Sequence, residues 1–189
     1  MPRNRVQIPI EERRADLLAA ATELFLTRGY EGATMLDISR AAGVTRANVY
    51  WYFASKDEIF AAVMTRLLER DFRALAVEHA DLDALGRLVR GLVEMRPYRS
   101  LHRSMHDRLL HHDGVRDAHD RWLQWLREMV EHVLDERGVR NERELAIHLV
   151  EAVFEAVHLP LDHRRPPHEM IRFIVDLVGD PAARHPGRD

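Results

Sequence analysis

Apolar residues recur along this chain at intervals of three and four, the spacing of one helical face. Almost nowhere do they alternate as a half-buried strand requires. Leu17, Leu18, Ala21, Leu24 and Phe25 make one face of a helix predicted from Ile10 to Arg28, and Gly29 stands where a left-handed C-terminal cap is wanted. Thr34, with Asp37 three residues on, reads as a capping box for a second helix. Its inner face is Ile38, Ala41 and Ala42, and Gly43 ends it. A third helix starts near Thr45 and turns Val49 and Phe53 inward. Ser55 and Glu58 form a second capping box, opening a long fourth helix striped by Ile59, Phe60, Val63, Met64, Leu67, Leu68, Phe72 and Leu75.

Further along, the spacing predicts a helix from Asp81 to Met95 and another after Pro97, bearing Tyr98, Leu101, Met105, Leu109 and Leu110. Asp113-Gly114 reads as a turn. Helices follow from Val115 to Arg137 and, capped by Asn141 with Glu144, up to Leu159. A proline-rich loop over 160–167 leads to a last helix with Met170, Ile171, Phe173, Ile174, Leu177 and Val178. Ten of the thirteen positions from Leu145 to Val157 are apolar, too many for one face, so the eighth helix must bury two sides. The expected fold is all-α with about nine helices: a three-helix head over 1–55, a helical body over 56–179, and a disordered tail over 180–189 with nothing to bury.

Composition narrows the class. An apolar share of 46% against 31% charged is that of a soluble globular protein. No stretch reaches the roughly 18 apolar residues that span a bilayer, so no membrane partner is expected. The first fourteen residues carry charges with no apolar run behind them, unlike a secretory signal, and the expected compartment is the cytoplasm. With no cysteine, disulfides, thiolate metal sites and cysteine nucleophiles are excluded together. The formal net charge is −3, but residues 1–56 hold eight Arg/Lys against six Asp/Glu, so the remainder carries −5. A basic head on an acidic body fits two ends that meet different partners.

The informative stretch is Thr34 to Glu58. Two short helices joined by a tight turn at Gly43 form a helix-turn-helix whose second helix is sized for a major groove. Around that helix Thr45, Arg46, Ala47, Asn48, Tyr50, Trp51 and Tyr52 crowd onto a short surface. The hydroxyls of Thr34, Thr45 or Tyr50 can donate to phosphate, Arg46 can donate bidentately to guanine, and Asn48 can approach a base edge. Lys56 adds a cation beside the amides opening the fourth helix. Each also has a plainer reading: Tyr50 and Phe53 as packing, Trp51 as a surface aromatic, Arg46 and Lys56 as solvated charges.

At this point the sequence resembles a known family. Phe25 with Arg28-Gly29-Tyr30, Thr34 with Asp37-Ile38, Ala42-Gly43-Val44-Thr45, Val49-Tyr50, Tyr52-Phe53 and Lys56-Asp57-Glu58 leading to Phe60 resemble the DNA-binding domain of the tetracycline-repressor family. VTRANVYWYF is similar to its acriflavine and multidrug-efflux regulators. The family often has glycine where Ala47 stands. The resemblance implies a ligand-responsive repressor, binding a palindromic double-stranded DNA operator as a homodimer and released by a small-molecule effector. It implies a dimer interface on the last two helices, at Leu149, Val153, Val157, Ile171, Ile174 and Leu177. It also implies an effector cavity among the middle helices, with Met64, Tyr98, Met105, Trp122, Trp125, Met129 and Phe154 as lining.

The rival is a metal-binding or enzymatic helical bundle with an incidental helix-turn-helix. Twelve histidines include the pair His102/His106, whose i, i+4 spacing can ligate a divalent metal. The sequence identifies no third ligand, and the default for these histidines is solvent. No metal, cofactor or catalytic residue is therefore assigned. Phosphate-binding glycine loops and nucleophile elbows are missing as well.

Overall fold

The computed structural model describes residues 9–156 and 165–179. Among them are nine α-helices, one 3₁₀ turn and no strand. The helices are α1 (Ile10–Gly32), α2 (Met35–Ala41), α3 (Arg46–Tyr52), α4 (Lys56–Glu78), α5 (Ala84–Glu94), α6 (Arg99–His106), α7 (Asp113–Glu136), α8 (Arg143–Ala156) and α9 (Pro167–Gly179), with the 3₁₀ turn at Arg96–Tyr98. The predicted 180–189 tail, most of the proline-rich loop, Val157 and the side chains of Phe72 and Leu75 lie outside the described residues.

Helices α1, α2 and α3 form the head, and α4 joins it to a body in which α7 packs against α4, α5 and α8. Phe60, on the second turn of α4, meets Phe25 edge to face at 5.5 Å and Tyr30 at 5.0 Å. Leu67, Trp122 and Leu126 carry the same buried cluster onward, so a single core runs from head to body.

Local chemistry sets most boundaries. Gly29 takes φ 71° and interrupts α1, after which the chain regains one helical turn. Asp113-Gly114 is not a turn between helices but the start of α7, capped by the His112 ring, whose Nδ1 accepts from the Val115 amide at 3.3 Å. An Asp-Gly pair serves either purpose, because a carboxylate also suits the amide-rich first turn of a helix. The sixth helix stops at His106 rather than near Leu110, and a series of turns covers the gap to α7.

Candidate functional site

The turn between α2 and α3 has the hydrogen bonds of a Schellman motif. The Val44 amide donates to the Ser39 carbonyl at 2.9 Å and the Gly43 amide to Arg40 at 3.2 Å. This geometry puts Gly43 at φ 64°, where a side chain is strained although the space around it is open. Thr45 then caps α3, its hydroxyl accepting from the Asn48 amide at 3.2 Å. Val49 and, just past the helix, Phe53 are the anchors, both fully buried. Most of the rest of α3 faces outward: Arg46, Ala47 and Asn48 are exposed, Tyr50 is 43% exposed and Trp51 67%. Tyr52 is half-buried and meets the Trp51 ring edge to face at 4.6 Å. The Arg46 guanidinium lies 5.4 Å from the Tyr50 ring centre and donates to its hydroxyl at 3.1 Å.

Two candidate contacts are already engaged within the protein, Thr34 in the capping box that its spacing predicts and Lys56 against the end of α1. The Thr34 hydroxyl and amide both engage Asp37, at 2.5 and 3.1 Å, while the Asp37 amide donates back to the hydroxyl. The Thr34 hydroxyl bond is the main reason the Asp37 carboxyl sits below its ordinary range. Thr34 is therefore a working cap, with its hydroxyl proton already placed. Lys56 turns inward. Its Nζ donates to the carbonyls of Tyr30 at 3.0 Å and Ala33 at 3.1 Å and lies 3.9 Å from the Tyr30 ring centre. A cation belongs at those carbonyls, the negative end of α1. Burial first of all lowers its pKa, and two of its three N–H bonds are already used.

Tyr30 is also where the head meets the body. Arg108, two residues beyond α6, lies 3.5 Å from the Tyr30 ring centre, pairs with Asp57 at 3.2 Å and reaches Glu31. The Tyr30 hydroxyl donates to Asp57 at 2.5 Å. Burial, then the Asp57 hydrogen bond, push its pKa up to about 12, which keeps it a neutral donor. No spacing rule links Arg108 to Glu31, 77 positions away.

In the body, Met64, Met105, Trp122 and Phe154 are buried in the core, and Tyr98, Trp125 and Met129 are half-buried against it. Trp122 Nε1 donates to the Met64 carbonyl at 3.2 Å, and its ring stacks on Phe154 at 6.5 Å. A described cavity of about 530 Å³ lies elsewhere, lined from α1, α4 and α7 by residues such as Arg14, Leu18, Ala62, Arg66, Gly114 and Arg121, and by none of the seven candidates.

Beside Phe154 the histidines are not solvated. His102 and His119 are buried, and both converge with His106 on Glu155. Burial would raise the Glu155 carboxyl, but hydrogen bonds from His102, His106 and His119 outweigh it and hold it far below the usual range. Burial pushes His102 the opposite way from its Glu155 bond and lowers it.

Of the interface candidates, Leu149 and Leu177 are exposed and Val153 and Ile174 half-buried. Ile171 is a correction. It faces inward with Val175 and is fully buried in the chain's own core, while Phe173 joins Leu177 among the exposed apolar positions of α9.

Residues 17–63 match the family model for bacterial regulatory proteins of the tetR family. The HTH-type transcriptional regulator SrpR of Pseudomonas putida is 33% identical over 138 residues, 66% of this chain and 62% of that one. The uncharacterized regulator TtgW, also of Pseudomonas putida, is 34% identical over 131 residues, covering 62% of this chain and 93% of its own length. This chain spans less than two thirds of the length of SrpR and of several other curated relatives it matches. A Saccharomonospora viridis protein described as a transcriptional regulator and solved in complex with choline superposes with a TM-score of 0.66 at 24% identity. The match covers 90% of this chain and 97% of that one.

Proposed function

Because this chain belongs to the TetR family of bacterial regulatory proteins, we propose that it is a cytoplasmic, ligand-responsive repressor that binds a palindromic operator as a homodimer. The family is one of regulators rather than enzymes. The observation that carries the reading is α3, which keeps only Val49 buried and offers Arg46, Asn48, Tyr50 and Trp51 to the outside. Thr45, Arg46, Ala47, Asn48, Tyr50 and Trp51 are the groove-facing set, with Tyr52 at its edge and Thr34 and Lys56 holding the frame. No helix among the described residues is long and apolar enough to cross a membrane.

Two recognition helices about 34–36 Å apart would enter successive major grooves. The Arg46→Ala variant is expected to lose ~1–3 kcal/mol of affinity for an operator selected from random duplexes, with little change on scrambled DNA. Fluorescence anisotropy on both duplexes reads this. Equal loss on both makes Arg46 a phosphate contact, and a wild-type protein that prefers no duplex removes the regulator reading.

Leu145 and Leu149 on α8 and Phe173 and Leu177 on α9 are large exposed apolar side chains on two helices that pack together, the kind of patch a partner covers. A two-fold dimer through this face suits a two-fold operator. Leu149→Asp with Leu177→Asp is expected to convert the dimer to monomer in sedimentation velocity. A wild-type chain that is already monomeric at micromolar concentration rejects the interface.

An effector entering the body among Met64, Met105, Trp122 and Phe154 could reach the head through Arg108, since α6 and the Tyr30–Asp57 pair move together if that latch holds. Inverting a 99:1 equilibrium takes ~5.5 kcal/mol of differential binding, so partial release is the easier response.

A further inference from the structure

His102 and His106 stand one turn apart on α6, and Glu155 reaches them from α8. Glu155 Oε2 lies 3.0 Å from His106 Nε2, and Oε1 lies 3.7 Å from His102 Nε2. One donor atom from each of the three residues falls within 4.8 Å of the other two. Around a tetrahedral zinc ion with bonds of about 2.0–2.1 Å, donors sit roughly 3.4 Å apart. The cluster thus has the dimensions of a coordination site before any ion enters it. His102 is 6% exposed and lies against the Phe154 ring at 5.0 Å, so the site has an apolar wall and little competing water.

We propose that His102, His106 and Glu155 bind one divalent transition metal of the zinc, cobalt and nickel class, with a fourth position open to water or to a donor atom of a small molecule. The ligand chemistry selects the class. Two imidazoles and one carboxylate suit borderline ions, whereas calcium and magnesium want oxygen and copper(I) wants thiolate or thioether.

His119 is the positioning residue. Its Nε2 lies 3.4 Å from Glu155 and its Nδ1 3.4 Å from Asp120, the arrangement by which an outer carboxylate and imidazole orient a ligating group. His119 rises from α7, so three helices meet at the ion. Two residues past α6, Arg108 grips Tyr30 and Asp57 of the head–body junction. An ion drawing α6 toward α8 therefore bears on the head. This consequence, unlike the binding itself, rests on the regulator reading.

The test uses the full chain, stripped with chelator and titrated with Co²⁺ by absorption spectroscopy, then with Zn²⁺ in competition. The expected result is one Co²⁺ per chain with a ligand-field spectrum of low coordination number, displaced by Zn²⁺. His106→Gln and Glu155→Gln should each weaken binding at least tenfold, and His119→Gln by about 10–100-fold, the range seen when outer-shell partners of a metal ligand are removed. Helicity and the urea midpoint confirm that each variant is folded. A wild-type chain that takes up no Co²⁺, or an affinity unchanged in both His106→Gln and Glu155→Gln, overturns the site. Operator binding in the same samples separates the two readings. Co²⁺ uptake without duplex binding keeps the site and removes the regulator, and duplex binding without Co²⁺ uptake does the reverse.

Discussion

Replacing Phe60 with alanine is expected to cost about 3–5 kcal/mol of folding stability, the range for emptying a fully buried aromatic site. Phe60 has no exposed surface and meets two other rings edge to face, Phe25 from α1 and Tyr30 from the short turn after Gly29. Those contacts add to the loss of buried area, because aromatic pairs contribute beyond their area. The effect should not stay local. Tyr30 holds Asp57 through its hydroxyl, and its face carries both Lys56 and Arg108. Once the Phe60 ring is gone, Tyr30 loses its backing, and with it the surface on which α1, α4 and the segment after α6 meet. Urea unfolding followed by circular dichroism measures the loss, and a Phe60→Leu control should recover most of it. A cost below about 1.5 kcal/mol would mean that the neighbours close over the vacated space.

The fold was legible where a local rule and the core agreed. The capping box at Thr34 and Asp37 and the left-handed Gly43 are both present, and of the box at Ser55 and Glu58 the Ser55 half forms, while the Glu58 carboxylate takes the Ala54 amide one residue further back. Boundaries slipped where one signature fits two structures. Asp113-Gly114 suits a turn or a helix start, and only the His112 ring over the Val115 amide decides between them. Ile171 shows the limit of periodicity. On a helix as apolar as α9, spacing alone does not say which stripe meets the core and which faces out.

The exposed face of α3 was legible for the same reason as the turn, since Arg46 through Trp51 are consecutive and only Val49 among them is buried. Lys56 misled because the rule about cations and helix starts is silent on a second helix ending beside it. The carbonyls of Tyr30 and Ala33 come from 26 and 23 positions away. Glu155 was harder still. His102/His106 was visible as a pair, but the carboxylate that completes the set lies on α8, and the imidazole that steadies it lies on α7. A search for glutamates opposite a histidine pair across a helical core would have proposed it. No spacing within one helix could.

Trp122 discriminates between a packed core and a cavity at the centre of the body. The Trp122→Ala variant is expected to lose about 3–5 kcal/mol if the indole is core, as its 2% exposure and its stacking on Phe154 indicate. Trp122→Phe should lose far less, near 1–2 kcal/mol: one buried hydrogen bond, from Nε1 to the Met64 carbonyl, and a modest change of volume. Had Trp122 instead lined a preformed effector pocket, truncation would enlarge an existing space. The cost would then stay under about 2 kcal/mol, because little packing is lost where a neighbour was already absent. Under the proposed function, the urea midpoint of the two variants therefore reports how far the body would have to open to admit an effector. A large cost for alanine means that ligand entry has to displace side chains such as Trp122 and Met64. Those side chains lie between α4 and α7, and α4 is the helix that joins the body to the head, so under the proposed function the displacement itself would be the signal that reaches α3.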